Sequence, residues 1–176
     1  MRAVLFVFSL TALTSLASAQ QADRLSNRAE DRISKEVRHE LVSLPYYTVF
    51  DNLAYKVDGN HVTLYGQVTR PVLKSDAENA VKHIEGVQGV TNDIQVLPLS
   101  PNDDQIRRAV YRAIYSQPGL DLYSLRAVPT IHIIVDNGHV TLAGAVGNQM
   151  DKERAEIAAK GVPGVFSVKD DLQVSP

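Results

Sequence analysis

The stretch HVTLYGQV, His61 to Val68, returns as HVTLAGAV, His139 to Val146. Sliding the chain by 78 residues lays 57–98 on 135–176 without a gap, and 20 of these 42 positions are identical. An internal duplication of this length constrains the fold more than any other feature: one unit is built twice. Each copy, about 75 residues long, must close a core near the lower size limit for folding without staples. Upstream the register becomes 73, so that Asp31, Ile33, Val37, Ser43 and Pro45 fall on Asp104, Ile106, Val110, Ser116 and Pro118. The second copy thus carries five extra residues between its first helix and first strand. The seam LPLSP, Leu97 to Pro101, is short, and contact between the two modules is expected.

Within a copy the order of elements follows from periodicity. Leu25, Ala29, Ile33, Val37, Leu41 and Leu44 recur at helical spacing and predict a helix over 25–44; Ile106, Ala109, Val110 and Ala113 predict its counterpart. These helices should end near Pro45 and Pro118. Leu53, Tyr55 and Val57 alternate, as do Ile131, Ile133 and Val135, and Asp58-Gly59-Asn60 and Asp136-Asn137-Gly138 supply hairpin turns. The repeated octapeptide is the second hairpin strand, with Val62, Leu64, Gly66 and Val68 inward. A second helix follows, opened by Pro71 or Asn148 and closed by Gly86 or Gly161. The last strand is 90–96 or 168–174. The expected fold is α+β, two tandem αββαβ modules (22–98 and 102–176, linked by 99–101), each a small three-stranded mixed sheet covered on one face by two helices. The place of the third strand in the sheet is left open.

The first nineteen residues read as an export signal: Arg2, an apolar run from Val4 to Leu13, and Ala17-Ser18-Ala19, with cleavage expected after Ala19 and an exported destination. With no cysteine, the chain has neither disulfides nor a thiolate nucleophile. The formal net charge of −2 becomes about −3 once Arg2 is lost, which does not suit a body that wraps polyanions.

Candidate chemistry is sparse. His61 and His139 lead outward-facing strand positions without a carboxylate or second histidine at ligand spacing, and read as structural. Gly66 and Gly144 read as packing glycines on the inward face of a strand, where a larger residue would overfill the contact between sheet and helix. Gly86-Val-Gln-Gly89 and Gly161-Val-Pro-Gly164 spell G-x-x-G but sit between helix and strand, so nucleic-acid binding is not expected. Asp103-Asp104 reads as a helix N-terminus and Asp170-Asp171 as a solvated strand end. No serine lies in a nucleophile-elbow context and no phosphate loop exists; neither an enzyme nor a cofactor is expected. Along the helix that starts near Asp103, Arg108, Tyr111, Arg112 and Tyr115 fall at i, i+3, i+4 and i+7, with Arg107 adjacent. Arginine beside tyrosine suits a phospholipid headgroup boundary, because guanidinium binds phosphate bidentately and phenol rests at the water–acyl interface. The alternative is an ordinary exposed face or a contact between modules. Tyr46-Tyr47 is a second aromatic site.

With VDGNHVTLYGQV and GVQGVTNDIQV in one copy, and VDNGHVTLAGAV and GVPGVFSVKDDLQV in the other, the chain resembles the BON domain family of bacterial envelope proteins. The resemblance covers almost all of the chain after the signal. It implies the αββαβ fold, a noncatalytic role, and association with phospholipid or envelope components. A signal followed by two such domains is similar to the family's periplasmic osmotic-stress proteins. The family's most repeated positions fall on Gly66, Gly86, Gly144, Gly164, Val90 and Val168, and none is catalytic. Two readings follow: peripheral contact with anionic phospholipid, or a protein-interaction or chaperone-like module that meets an envelope protein.

Overall fold

The computed structural model describes residues 12–125 and 128–175, with side chains from residue 26 onward. The expected signal segment lies outside the described side chains; only its backbone from Ala12 enters, as the start of the first helix. That helix, α1, runs Ala12–Val42 and ends before the expected Leu44, where Ser43 N–H bonds back to the His39 carbonyl at 3.1 Å.

Both modules form the expected hairpin. Strands β1 (Asn52–Asp58) and β2 (His61–Val68) are antiparallel, as are β5 (Ile131–Asp136) and β6 (His139–Val146). The second turn places Asn137 and Gly138 at φ 50° and 79°, left-handed backbone that lets a two-residue loop match the strand twist. Helices α2 (Pro71–Lys82) and α4 (Gln149–Lys160) follow, and the Asn148 side chain accepts from Asp151 N–H at 2.8 Å as the N-cap of α4. Gly161 ends α4 as expected, whereas the end of α2 corrects the expectation of Gly86. His83 caps α2, Gly161 caps α4 in right-handed conformation (φ −76°), and the left-handed glycines are Gly86 (φ 94°) and Gly164 (φ 87°), inside the turn leading to the last strand. Both lie over the first helix of their module, and a Cβ would meet Ile33 at 3.5 Å or Ile106 at 3.6 Å.

The last strand settles the sheet order. Strand β7 (Ser167–Val174) runs parallel to β6, and β3 (Gly89–Asn92) with β4 (Gln95–Val96), one line interrupted at Asp93-Ile94, runs parallel to β2. The repeated octapeptide is therefore the central strand of each sheet. Its inward residues Val62, Leu64 and Val68, and Val140, Leu142 and Val146, are buried beneath the helices, against Ile33, Val37 and Leu73 in one core and Ile106, Val110 and Ala155 in the other.

Gly66 and Gly144 are structural for a different reason from the expected one. Each has positive φ (117° and 111°), and a Cβ would stand 2.0 Å from the carbonyl oxygen of Asn52 or Thr130 on the neighbouring strand. The obstacle is paired backbone, not a helix.

The two modules interlock through the segment between α1 and β1. Val49, 7% exposed, belongs to the second module's core, and its carbonyl accepts from Ile133 N–H at 2.8 Å, closing the free edge of β5. Beside it Tyr47 stacks on His132 (5.7 Å) and Phe50 packs edge-to-face with Tyr111 (6.2 Å). Fully buried Asp51 fixes the segment: its carboxylate accepts from Thr48 N–H and Oγ1 at 3.0 and 2.7 Å, and from Thr69 N–H and Oγ1 at 2.6 and 2.8 Å.

Candidate functional site

Helix α3 (Pro101–Tyr115) carries the candidate stripe. Pro101 occupies its first turn and the Ser100 hydroxyl accepts from Asp103 N–H at 3.2 Å. Asp103 is more than an N-terminal acid. Only 1% exposed, it accepts from the Asn137 and Gly138 amides at 3.0 and 2.9 Å and so ties α3 to the hairpin turn. Glu30, its counterpart at a shift of 73, does the same on α1, accepting from Gly59 N–H at 3.1 Å.

The structure splits the stripe. Arg107 is 4% exposed; it donates from Nη1 to Asp104 and from Nη2 to the Val135 carbonyl, each at 2.6 Å. Tyr115 is 8% exposed, its hydroxyl donates to the Ile131 carbonyl at 2.8 Å, and burial raises its phenol well above the ordinary range. Both residues hold α3 to β5 and are unavailable to a ligand, correcting their placement among the binding residues. Arg108 and Arg112 remain exposed, one turn apart, and neither joins an ion pair among the described residues. Tyr111 lies half-buried between them, 4.7 Å from Tyr115. The 3-10 helix Asp121–Ser124 packs against α3 and, with the next residue, leaves Leu122 and Leu125 exposed. The outward face of α3 thus carries two unspent guanidinium groups.

The other candidates resolve into structure. His61 Nε2 pairs with Thr91 Oγ1 at 2.9 Å and His139 Nδ1 with Ser167 Oγ at 2.7 Å, so the repeated histidine pins the central strand to the last one. Tyr46 adopts φ 67° with Arg70 5.0 Å above its ring, while burial first, and the Asp51 charge after it, push the Tyr47 phenol up to about 12. Asp170 is not a solvated end: it accepts from Leu172 N–H at 3.0 Å and stands 3.8 Å from Lys152, its side chain 12% exposed. His132, which the sequence did not single out, is held below its ordinary pKa by burial, against the opposing pull of the Asp51 and Thr48 backbone and the Asp51 carboxylate. Its Nδ1 has no hydrogen-bond partner among the described residues. Among those residues no group of His, Asp or Glu could hold a metal ion, and no helix is long and apolar enough to cross a membrane.

Two copies of one αββαβ unit, each with its octapeptide as central strand and its first helix tied by an acid to the hairpin turn, define a tandem-module protein without a catalytic constellation among the described residues. The chain belongs to the BON domain family, whose model matches residues 29–98 and again 102–176. It is 32% identical over 169 residues to osmotically-inducible protein Y of Escherichia coli (strain K12), covering 91% of this chain and 82% of that protein. Among solved structures it is similar to CdsD, a structural protein of the type III secretion system of Chlamydia trachomatis, at 14% identity over 82% of this chain and 93% of that one, with a TM-score of 0.32. The C-terminal domain of CdsD gives 12% identity and a TM-score of 0.28 over 81% of this chain and 96% of that one. Overlaps this loose carry no argument.

Proposed function

We propose that this protein is a noncatalytic component of the bacterial envelope, exported to the periplasm and used under osmotic or envelope stress, that binds anionic phospholipid surfaces peripherally through the outward face of α3. The role in osmotic stress rests on the similarity to osmotically-inducible protein Y. The lipid reading rests on one observation: Arg108 and Arg112 stand exposed and unpaired among the described residues, while their neighbours Arg107 and Tyr115 are spent on the fold. A basic side chain near an anionic leaflet contributes about 1 kcal/mol, so two guanidinium groups give weak, reversible and salt-sensitive attachment. Leu122 and Leu125 add apolar area on the neighbouring turn.

Co-sedimentation with phosphatidylglycerol-containing and with purely zwitterionic vesicles, at low and physiological salt, tests the reading. Binding that requires anionic lipid, fades with salt and is lost in Arg108→Glu/Arg112→Glu supports it. Absence of vesicle binding under every condition sinks it, and turns the search for partners toward envelope proteins.

A further inference from the structure

On the side of each sheet away from its helices lies a second feature that the lipid reading leaves unused. The helix-free faces of the two sheets line a shared cleft of about 780 Å³ at the junction of the modules, the kind of place where ligand sites collect. A further hollow of about 400 Å³ continues it past Gln67, Gln95 and Thr141. The lining is amide-rich and repeats itself: Asp93 and Gln95 from the first module occupy the positions, 78 residues earlier, of Asp171 and Gln173 from the second. All four of these side chains line the same cleft. The cleft thus receives the same two side chains from both walls.

Four of these polar groups are unspent, while Gln173 Nε2 donates to the Asp171 carbonyl at 3.3 Å and the Tyr65 hydroxyl to the Tyr55 carbonyl at 3.4 Å. Among the described residues the side chains of Gln67, Asp93, Gln95 and Thr141 make no hydrogen bond and no ion pair. Asp171 is paired with Lys169 at 2.7 Å, which leaves Asp93 as the unbalanced charge and disfavours anionic ligands. Tyr65, 45% exposed, lines the same cleft, and the floor beside it is Gly66 and Gly144, which bring backbone close to the opening. Primary amides offer a donor and an acceptor on one small plane, and a carboxylate accepts twice; both match adjacent hydroxyl groups. A phenol ring gives an apolar plate with a polar edge, suited to the C–H face of a sugar ring.

We infer that the cleft is a binding site for a neutral oligosaccharide, with Tyr65 as the stacking surface and the amides of Gln67, Gln95 and Gln173 reading ring hydroxyls. The site is independent of the lipid face, because α3 covers the opposite side of the second sheet.

Titration of the 15N-labelled chain with cellotetraose, chitotetraose and maltotetraose, followed by amide shifts and calorimetry, tests the inference. The expected result is saturable binding of at least one of these sugars, with shifts confined to β1, β2, β4, β6, β7 and the Asp93-Ile94 break. Gln95→Ala/Gln173→Ala should weaken it about tenfold while Arg108→Glu/Arg112→Glu leaves it unchanged. Tyr65→Leu, which keeps a strand-compatible apolar side chain, should weaken it comparably. No saturation by any of the three sugars at 10 mM, or binding that survives both cleft variants, would overturn the site.

Discussion

Gly66 and Gly144 carry the sharpest residue-level consequence. An alanine at either position combines left-handed backbone with a Cβ 2.0 Å from a carbonyl oxygen, so Gly66→Ala and Gly144→Ala should each cost at least about 2 kcal/mol in urea unfolding. An unchanged midpoint would show that the strand relaxes freely. Asp103 offers a second test: Asp103→Ala leaves the Asn137 and Gly138 amides without their acceptor and should cost about 2–4 kcal/mol in the same unfolding measurement. His132 sets a pH dependence. Its folded pKa lies below the ordinary 6.5, so the unfolded chain takes up the proton first. Stability from this residue is complete above pH 6.5 and falls as pH drops through the folded pKa. Unfolding midpoints between pH 7.5 and 4.5 should show that decline, and His132→Gln should reduce it. At this scale the sequence is least transparent. The acid that ties helix to hairpin is Asp103 in one copy and Glu30 in the other, so identity matching passed over it. A long arginine stem reads alike whether its head faces water, as in Arg108, or bonds a buried carbonyl, as in Arg107.

Among the elements, α3 does two jobs on two faces. Ile106, Val110, Ile114 and Tyr115 close the core, and Arg108 and Arg112 face solvent. The two sets should therefore separate by experiment. Tyr115→Phe leaves the Ile131 carbonyl without its donor and should lower stability by about 1–2 kcal/mol while vesicle binding of the folded fraction persists. Arg108→Glu/Arg112→Glu should do the reverse. Element order, hairpin turns and strand faces were legible because the two-residue period and the Asn-Gly chemistry leave few alternatives. Helix ends were legible for α4, at Gly161, and not for α2. The left-handed glycine stands in the turn after α2 and α4, and a glycine spacing cannot tell a helix cap from the turn that follows it. The place of the third strand also escaped, because either edge of a hairpin could accept it until side-chain packing chooses.

As a whole molecule the chain is two copies locked by a segment that is not repeated. Val49 fills the second core and Asp51 ties its own segment to the end of β2, so the modules should unfold in one transition. Val49→Asp should split or broaden that transition, seen as non-coincident fluorescence and circular dichroism curves. The duplication announced two modules and the short seam announced contact, but the interlock rests on Tyr47, Val49 and Phe50, which no periodicity marks. A coupled pair of modules presents α3 in a fixed orientation, and that allows a direct test of the lipid face. Because the chain has no cysteine, single cysteines can carry an environment-sensitive fluorophore at Gln105→Cys, beside Arg108 and Arg112, or at Ile157→Cys on α4. With phosphatidylglycerol vesicles at low salt the account predicts a blue shift at position 105 and none at position 157. Equal shifts at both positions, or none at 105 while the protein still sediments with the vesicles, would contradict it.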